Sequence, residues 1–160
     1  MDIAELNARV PNFIVQATNH KDVALSALRG WNVVLFFYPK DNTPGCTTEA
    51  LDFRDAYEDF KKLRTVVFGV SKDTLKSHEH FKTELALPFE LICDSDGKLC
   101  KLFDVIRPQN LLGKQIMGVD RSTFLIDANG ILKNEWRKVR VTGHVEEVLE
   151  AVESLSSVIT

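Results

Sequence analysis

Cysteine, methionine and tryptophan are scarce in this 160-residue chain, at three, two and two residues. The three thiols, Cys46, Cys93 and Cys100, are odd in number and irregularly spaced, which argues against a disulfide framework and fits free thiols in a reducing compartment. Basic charge is not in excess: 20 Lys and Arg stand against 23 Asp and Glu, a net charge of −3. That is a poor footprint for binding nucleic acid. The longest apolar run, Trp31 to Tyr38, is far short of the ~20 residues that span a bilayer, so no membrane association is expected. Met1-Asp2-Ile3-Ala4-Glu5 has neither the basic nor the apolar region of a secretory signal, and a cytoplasmic location is expected. What remains is an ordinary globular composition, 44% hydrophobic and 27% charged, with no repeat or linker. It predicts one domain over residues 1–160.

Residue patterning predicts alternating strands and helices. Short apolar pieces, Phe13-Ile14-Val15 and Val23-Ala24-Leu25, flank polar residues 19–22 and predict an N-terminal β-hairpin running into a helical turn. Val33 to Tyr38 is a continuous β-branched and aromatic run closed by Pro39, a buried strand. Ala50, Phe53, Tyr57 and Phe60 then recur at helical intervals from about Thr47 to Leu63. Thr65 to Val70 predicts a second strand, Leu75, Phe81 and Leu85 a helix, and Phe89 to Cys93 a third strand. Lys98 to Phe103 reads as a short helix, while Arg107 to Gly118 has no clear period. Ser122 to Ile126 and Ile131 to Trp136, joined by Asp127-Ala128-Asn129-Gly130, predict a hairpin before a closing helix marked by Val145, Val148, Leu149, Val152 and Leu155. This rhythm predicts an α/β fold with a mixed, partly parallel sheet.

The chemistry concentrates in Pro39-Lys40-Asp41-Asn42-Thr43-Pro44-Gly45-Cys46-Thr47-Thr48-Glu49. Free cysteine titrates near ~8.5, and only its thiolate is a strong nucleophile. Cys46 stands where the helix begins, and the helix dipole supplies about 0.3–1 kcal/mol when exposed and up to ~2 when partly buried. Lowering a thiol pKa by two units takes ~2.7 kcal/mol, so the dipole falls short and an arginine is expected to fold over the sulfur. A lone intracellular cysteine is most often a small buried hydrophobe. Against that reading, Cys46 follows a Pro-Gly turn, begins a helix instead of lying on its apolar stripe, and has the Thr43 hydroxyl three residues earlier.

Pro39, Thr43 and Cys46 match in order and spacing the Pro-x-x-x-Thr-x-x-Cys motif, and here the chain resembles the peroxiredoxins, thiol peroxidases on a thioredoxin-like fold. The wider string Phe37 to Asp41 and Thr43 to Thr47 resembles the branch of bacterioferritin comigratory protein, or peroxiredoxin Q. So do Ala8-Arg9-Val10-Pro11-Asn12-Phe13, Arg121 to Asp127 with Gly130, and Gly143-His144. The resemblance implies that Cys46 attacks a peroxide oxygen and becomes a sulfenic acid while water or an alcohol leaves. It also implies that Thr43 Oγ, the Cys46 backbone N–H and Arg121 bind the substrate as donors to the departing oxygen, that Arg121 also stabilises the thiolate, and that Pro39 shields the sulfur. Glu49 matches the position that orients the arginine, although a first-turn acid complementing the helix dipole fits nearly as well. Arg54 and Arg107 are the other cations in reach of the argument, and spacing ties neither to the thiol.

The chain departs from the family it resembles where many members carry a second, resolving cysteine: those positions hold Leu51 and Lys82. Cys93 and Cys100 read as packed structural thiols. A one-cysteine mechanism is expected, with an outside thiol such as thioredoxin, glutaredoxin or glutathione as reductant and no cofactor. Cys100 as an unorthodox resolving residue is the alternative. His78 and His80 lack zinc-site spacing and are expected to face solvent on their helix, His144 to start the last helix, and Arg137-Lys138-Val139-Arg140 to be a solvated edge. Glu49 stands where a thioredoxin-like reductase needs its second cysteine, and Asp52 where a cysteine phosphatase needs arginine. A non-enzymatic peroxide sensor or holdase remains as the rival of another class. The even surface is compatible with a monomer or a weak dimer.

Overall fold

The computed structural model describes residues 3–157. Seven strands form one mixed sheet in the order β2-β1-β5-β4-β3-β8-β9. The N-terminal hairpin pairs β1 (Ile14–Ala17) with β2 (Lys21–Ala24) and runs into a 3₁₀ turn at Leu25–Leu28. At the centre lies β3 (Asn32–Phe37), parallel to β4 (Thr65–Ser71), which is parallel in turn to β5 (Leu91–Cys93). On the other side of β3, β8 (Ser122–Ile126) runs antiparallel and carries the edge strand β9 (Leu132–Trp136). The helices are α1 (Pro44–Lys62), α2 (Leu75–Leu85), α3 (Lys98–Leu102) and α4 (His144–Ser157).

Because β3 is buried on both faces, its side chains alternate between two cores. Val33, Leu35 and Phe37 join β1, α3 and Phe103 on one side. Val34, Phe36 and Tyr38 face α1, α2 and α4 on the other, through Ala50, Phe53, Phe60, Phe81 and Val148. The Phe36 ring stacks on Phe53 at 4.5 Å between centroids, which fixes α1 against the central strand. Gly69 on β4 makes room for that packing, since a Cβ there would lie 2.9 Å from the Phe36 ring and 2.7 Å from Leu91.

Two expectations need correcting here. Residues 106–119, which show no sequence period, form a separate ribbon of β6 (Ile106–Leu111) and β7 (Lys114–Val119). Both its faces are largely exposed, so the alternation that marks a half-buried strand never arises. Nor is the surface even, because Leu111, Leu112, Ile116 and Met117 are exposed along this ribbon, Leu112 at 97%. Among the described residues, no helix is long and apolar enough to cross a membrane.

Candidate active site

The site forms where β3 ends and α1 begins. Tyr38 still bonds its amide to the Val70 carbonyl, after which the chain leaves the sheet through exposed Pro39 and Lys40. Asn42 adopts a left-handed φ of 64°, and Thr43 is extended at φ −90° and ψ 151°. Pro44 then opens the helix, its fixed φ matched to a first helical position and its missing N–H one that needs no partner. The first intrahelical bond joins the Thr47 amide to the Thr43 carbonyl, and Thr43 makes no side-chain cap. The amides of Gly45 and Cys46, in the first turn, are therefore left without helical acceptors.

Arg121 arrives from the start of β8, the strand next to β3 in the sheet. Phe37 pairs with Ser122, so the residue preceding β8 emerges next to the segment that leaves β3. Its Nη2 donates to Cys46 Sγ at 3.4 Å and its Nη1 to Glu49 Oε1 at 2.6 Å. Gly45 permits this approach, because a Cβ at that position would stand 3.2 Å from Arg121 Nη2. Of the other two cations considered, Arg54 bonds Asp55 and the Leu85 carbonyl, and Arg107 bonds Asp104; neither is on the thiol.

Cys46 is only 2% exposed and packs with Ala50 and Phe53, so it both begins the helix and continues its apolar row, contrary to expectation. Glu49 is wholly buried, and its Oε2 has no hydrogen-bond partner. Burial pushes its carboxyl up to about 7 against the pull of the Arg121 charge. Thr43 Oγ1 donates to the Lys40 carbonyl at 2.8 Å. That hydrogen is directed at the Lys40 carbonyl, which leaves the oxygen able to accept.

Two buried histidines support the site, and sequence reasoning assigned neither a role in it. His144 begins α4 as expected, with Nε2 2.7 Å from Thr123 Oγ1 and its ring edge-on to Phe53 and Trp136. Burial, reinforced by the nearby Arg121 charge, holds it down at about 4. His80 is exposed as predicted, but His78 is completely buried. Its Nδ1 lies 2.8 Å from Asp41 Oδ2 and its Nε2 3.0 Å from the Ile92 carbonyl. The signal was present: His78 falls three residues from both Leu75 and Phe81, on the inward row of α2. Asp41, Asp73 and His78 are the one group of three potential metal ligands among the described residues, with ligand atoms within 4.8 Å of one another. Hydrogen bonds already occupy those atoms, since Asp73 Oδ2 accepts from the Asp41 amide and Ser71 Oγ.

The remaining thiols are set apart. Cys100 is fully buried, and burial together with Asp94 pushes it far above the ordinary thiol range. Cys93 is half-buried, with Sγ donating to the Asp73 carbonyl at 3.3 Å. Arg137 is not merely solvated: it bonds the Phe103 and Asp104 carbonyls and lies over the Phe124 ring.

Comparison with known proteins agrees with this geometry. Residues 6–135 match the AhpC/TSA family. The chain is 46% identical over 152 residues to Peroxiredoxin Bcp of Bacillus subtilis, covering 95% of this chain and 97% of that protein. A crystal structure of a cysteine-to-serine variant of PrxQ from Xylella fastidiosa superposes with a TM-score of 0.91 at 36% identity, over 98% of this chain and 99% of that one. The bacterioferritin comigratory protein of Xanthomonas campestris, whose structure concerns its alkyl peroxide reduction activity, matches at 40% identity with a TM-score of 0.87, over 96% and 98% of the two chains. The sequence likeness, the thioredoxin-like fold and the family motif at the head of α1 agree: this chain belongs to the peroxiredoxins, in the Bcp and peroxiredoxin Q branch, and is a thiol-dependent peroxidase.

Proposed function

We propose that Cys46 is the sulfur that reduces hydrogen peroxide and organic hydroperoxides, and that the cycle needs no second cysteine of this chain. The observation that carries this reading is the Arg121 guanidinium, bonded to Cys46 Sγ and to Glu49 at once at the start of a helix. A fixed cation beside the sulfur stabilises its anion, and Glu49 sets the orientation of that cation.

The thiolate attacks one peroxide oxygen in line with the O–O bond; the S–O bond forms as the O–O bond breaks. The attacked oxygen keeps its hydrogen, for which Thr43 Oγ1 is the acceptor. Charge grows on the departing oxygen, where Arg121 and the free Gly45 and Cys46 amides are the donors. That oxygen takes a proton from solvent and leaves as water or an alcohol. Pro39, at the exposed exit from β3, limits access of water to the sulfur. An outside thiol then attacks the sulfenic acid and releases water, and a second thiol displaces Cys46 from the mixed disulfide. Thioredoxin, glutaredoxin and glutathione are candidate donors. The burial of Cys100 and the hydrogen-bonded setting of Cys93 support the absence of an internal resolving thiol. The chain is read as one domain, cytoplasmic, and a monomer or weak dimer.

Intact mass after one equivalent of peroxide tests the reading. A gain of one oxygen that is absent in Cys46→Ser, with dithiothreitol-driven turnover kept in Cys93→Ser and Cys100→Ser, is the expected result. An intramolecular disulfide in its place refutes the one-cysteine cycle.

A further inference from the structure

The two halves of the proposed cycle make opposite demands on residues 39–45. A peroxide needs them closed, with Thr43, the helix amides and Arg121 around the sulfur. At 2% exposure, however, Cys46 is out of reach of any thiol the size of a peptide until those residues move. Some interaction must therefore set how readily the segment opens. Pro39 and Lys40 are exposed, and the Thr43 hydroxyl bonds only to Lys40, within the segment itself. Asp41, buried at 4%, ties the segment to the rest of the molecule.

Asp41 is held from three directions. Its Oδ1 accepts from the Tyr38 hydroxyl at 2.7 Å, and its Oδ2 accepts from Ser77 Oγ and faces His78 Nδ1, both at 2.8 Å. Its amide donates to Asp73 Oδ2 at 2.8 Å. Burial pushes its carboxyl upward, yet the bonds from His78, Tyr38 and Ser77 hold it below the usual carboxylate range. His78 in turn faces acceptors at both ring nitrogens, the Asp41 carboxylate and the Ile92 carbonyl of β5. The ring thereby bridges the active-site segment to the sheet.

We propose that His78 is a positioning residue: acting through Asp41, it latches the Pro39–Gly45 segment closed over Cys46, and thereby speeds attack on peroxide while slowing reduction by a bulky thiol. This rests on the assignment of Cys46 made above. A group that merely supports the fold affects both half-reactions in the same direction when removed, whereas a latch affects them in opposite directions.

The test follows the two steps separately by stopped flow, using hydrogen peroxide for oxidation and glutathione for reduction of the oxidised protein. Ser77→Ala removes one bond to Asp41 at a half-buried position and spares the core. His78→Asn keeps a donor on the Asp41 side, and His78→Leu removes every polar contact. Oxidation is expected to slow by about threefold in Ser77→Ala and about tenfold or more in His78→Leu, with His78→Asn between them, as expected for loss of bonds to a charged carboxylate. Reduction by glutathione is expected to quicken in the same order. Both rates falling together, or neither moving in Ser77→Ala and His78→Asn, overturns the latch; if His78→Leu does not fold, those two variants decide. Failure of the wild-type chain to gain one oxygen at Cys46 instead refutes the functional reading, so the two failures are distinct.

Discussion

Glu49 offers the sharpest test of the site's electrostatics, because its protonation is written into the stability of the fold. Its carboxyl is wholly buried, one oxygen faces Arg121 at 2.6 Å and the other has no partner. The result is a carboxyl raised from 4.5 to about 7, burial outweighing the arginine. A raised acid holds its proton more tightly in the folded chain, so the unfolded chain releases its proton first as pH rises. The folded state therefore loses ground between 4.5 and about 7, and the full penalty is present above that window. Between about pH 5 and about pH 8 the shift corresponds to a loss of about 2.5 kcal/mol attributable to this group. Glu49→Gln keeps the shape and an acceptor for Arg121 but cannot ionise. Urea unfolding of both proteins at the two pH values gives the measurement. The stability difference between variant and wild type should move in the variant's favour by ~2 kcal/mol or more on going to the higher pH. His144, held down at about 4, destabilises the fold as pH falls from 6.5 toward that value, but does so equally in both proteins and cancels in the difference. Parallel pH profiles for wild type and variant refute the buried-carboxyl argument.

Two further outcomes follow from the Arg121 geometry. Arg121→Lys keeps the charge but not the fork that reaches Cys46 and Glu49 together, and peroxide consumption should slow by about a hundredfold with the fold intact by circular dichroism. Gly45→Ala places a methyl 3.2 Å from Arg121 Nη2 while improving helix propensity, so it should be more stable to urea by up to ~1 kcal/mol yet slower toward peroxide by about threefold or more. A Gly45→Ala enzyme as fast as the parent would show that the arginine has room to spare.

Much of this architecture is readable in the chain because hydrophobic pattern and burial coincide. The run Val33 to Tyr38 is apolar on both faces because β3 is covered on both faces, and the turn at 127–130 announces the β8 and β9 hairpin. The site is readable only in part. Cys46 and Thr43 sit in one short local motif, but spacing alone gives no reason to prefer Arg121, which lies 75 residues away, and the family resemblance supplies it. His78 defies its residue type, an ionisable side chain buried on the apolar row of α2, and its burial is made tolerable by acceptors at both ring nitrogens, contributed by the active-site segment and by β5. The β6 and β7 ribbon is silent for the opposite reason, since a strand pair outside the main sheet imposes no alternation on its residues.

The distance along the chain between sulfur and guanidinium has a bearing on biosynthesis. A growing polypeptide that has emerged past α1 but not yet to β8 possesses Cys46 without its cation, the two being 75 positions apart. On the proposed role of Cys46, its sulfur then lacks the cation that activates it. The pair comes together only when the late strand docks beside β3, so on the proposed role of Cys46 rapid oxidation requires the completed sheet.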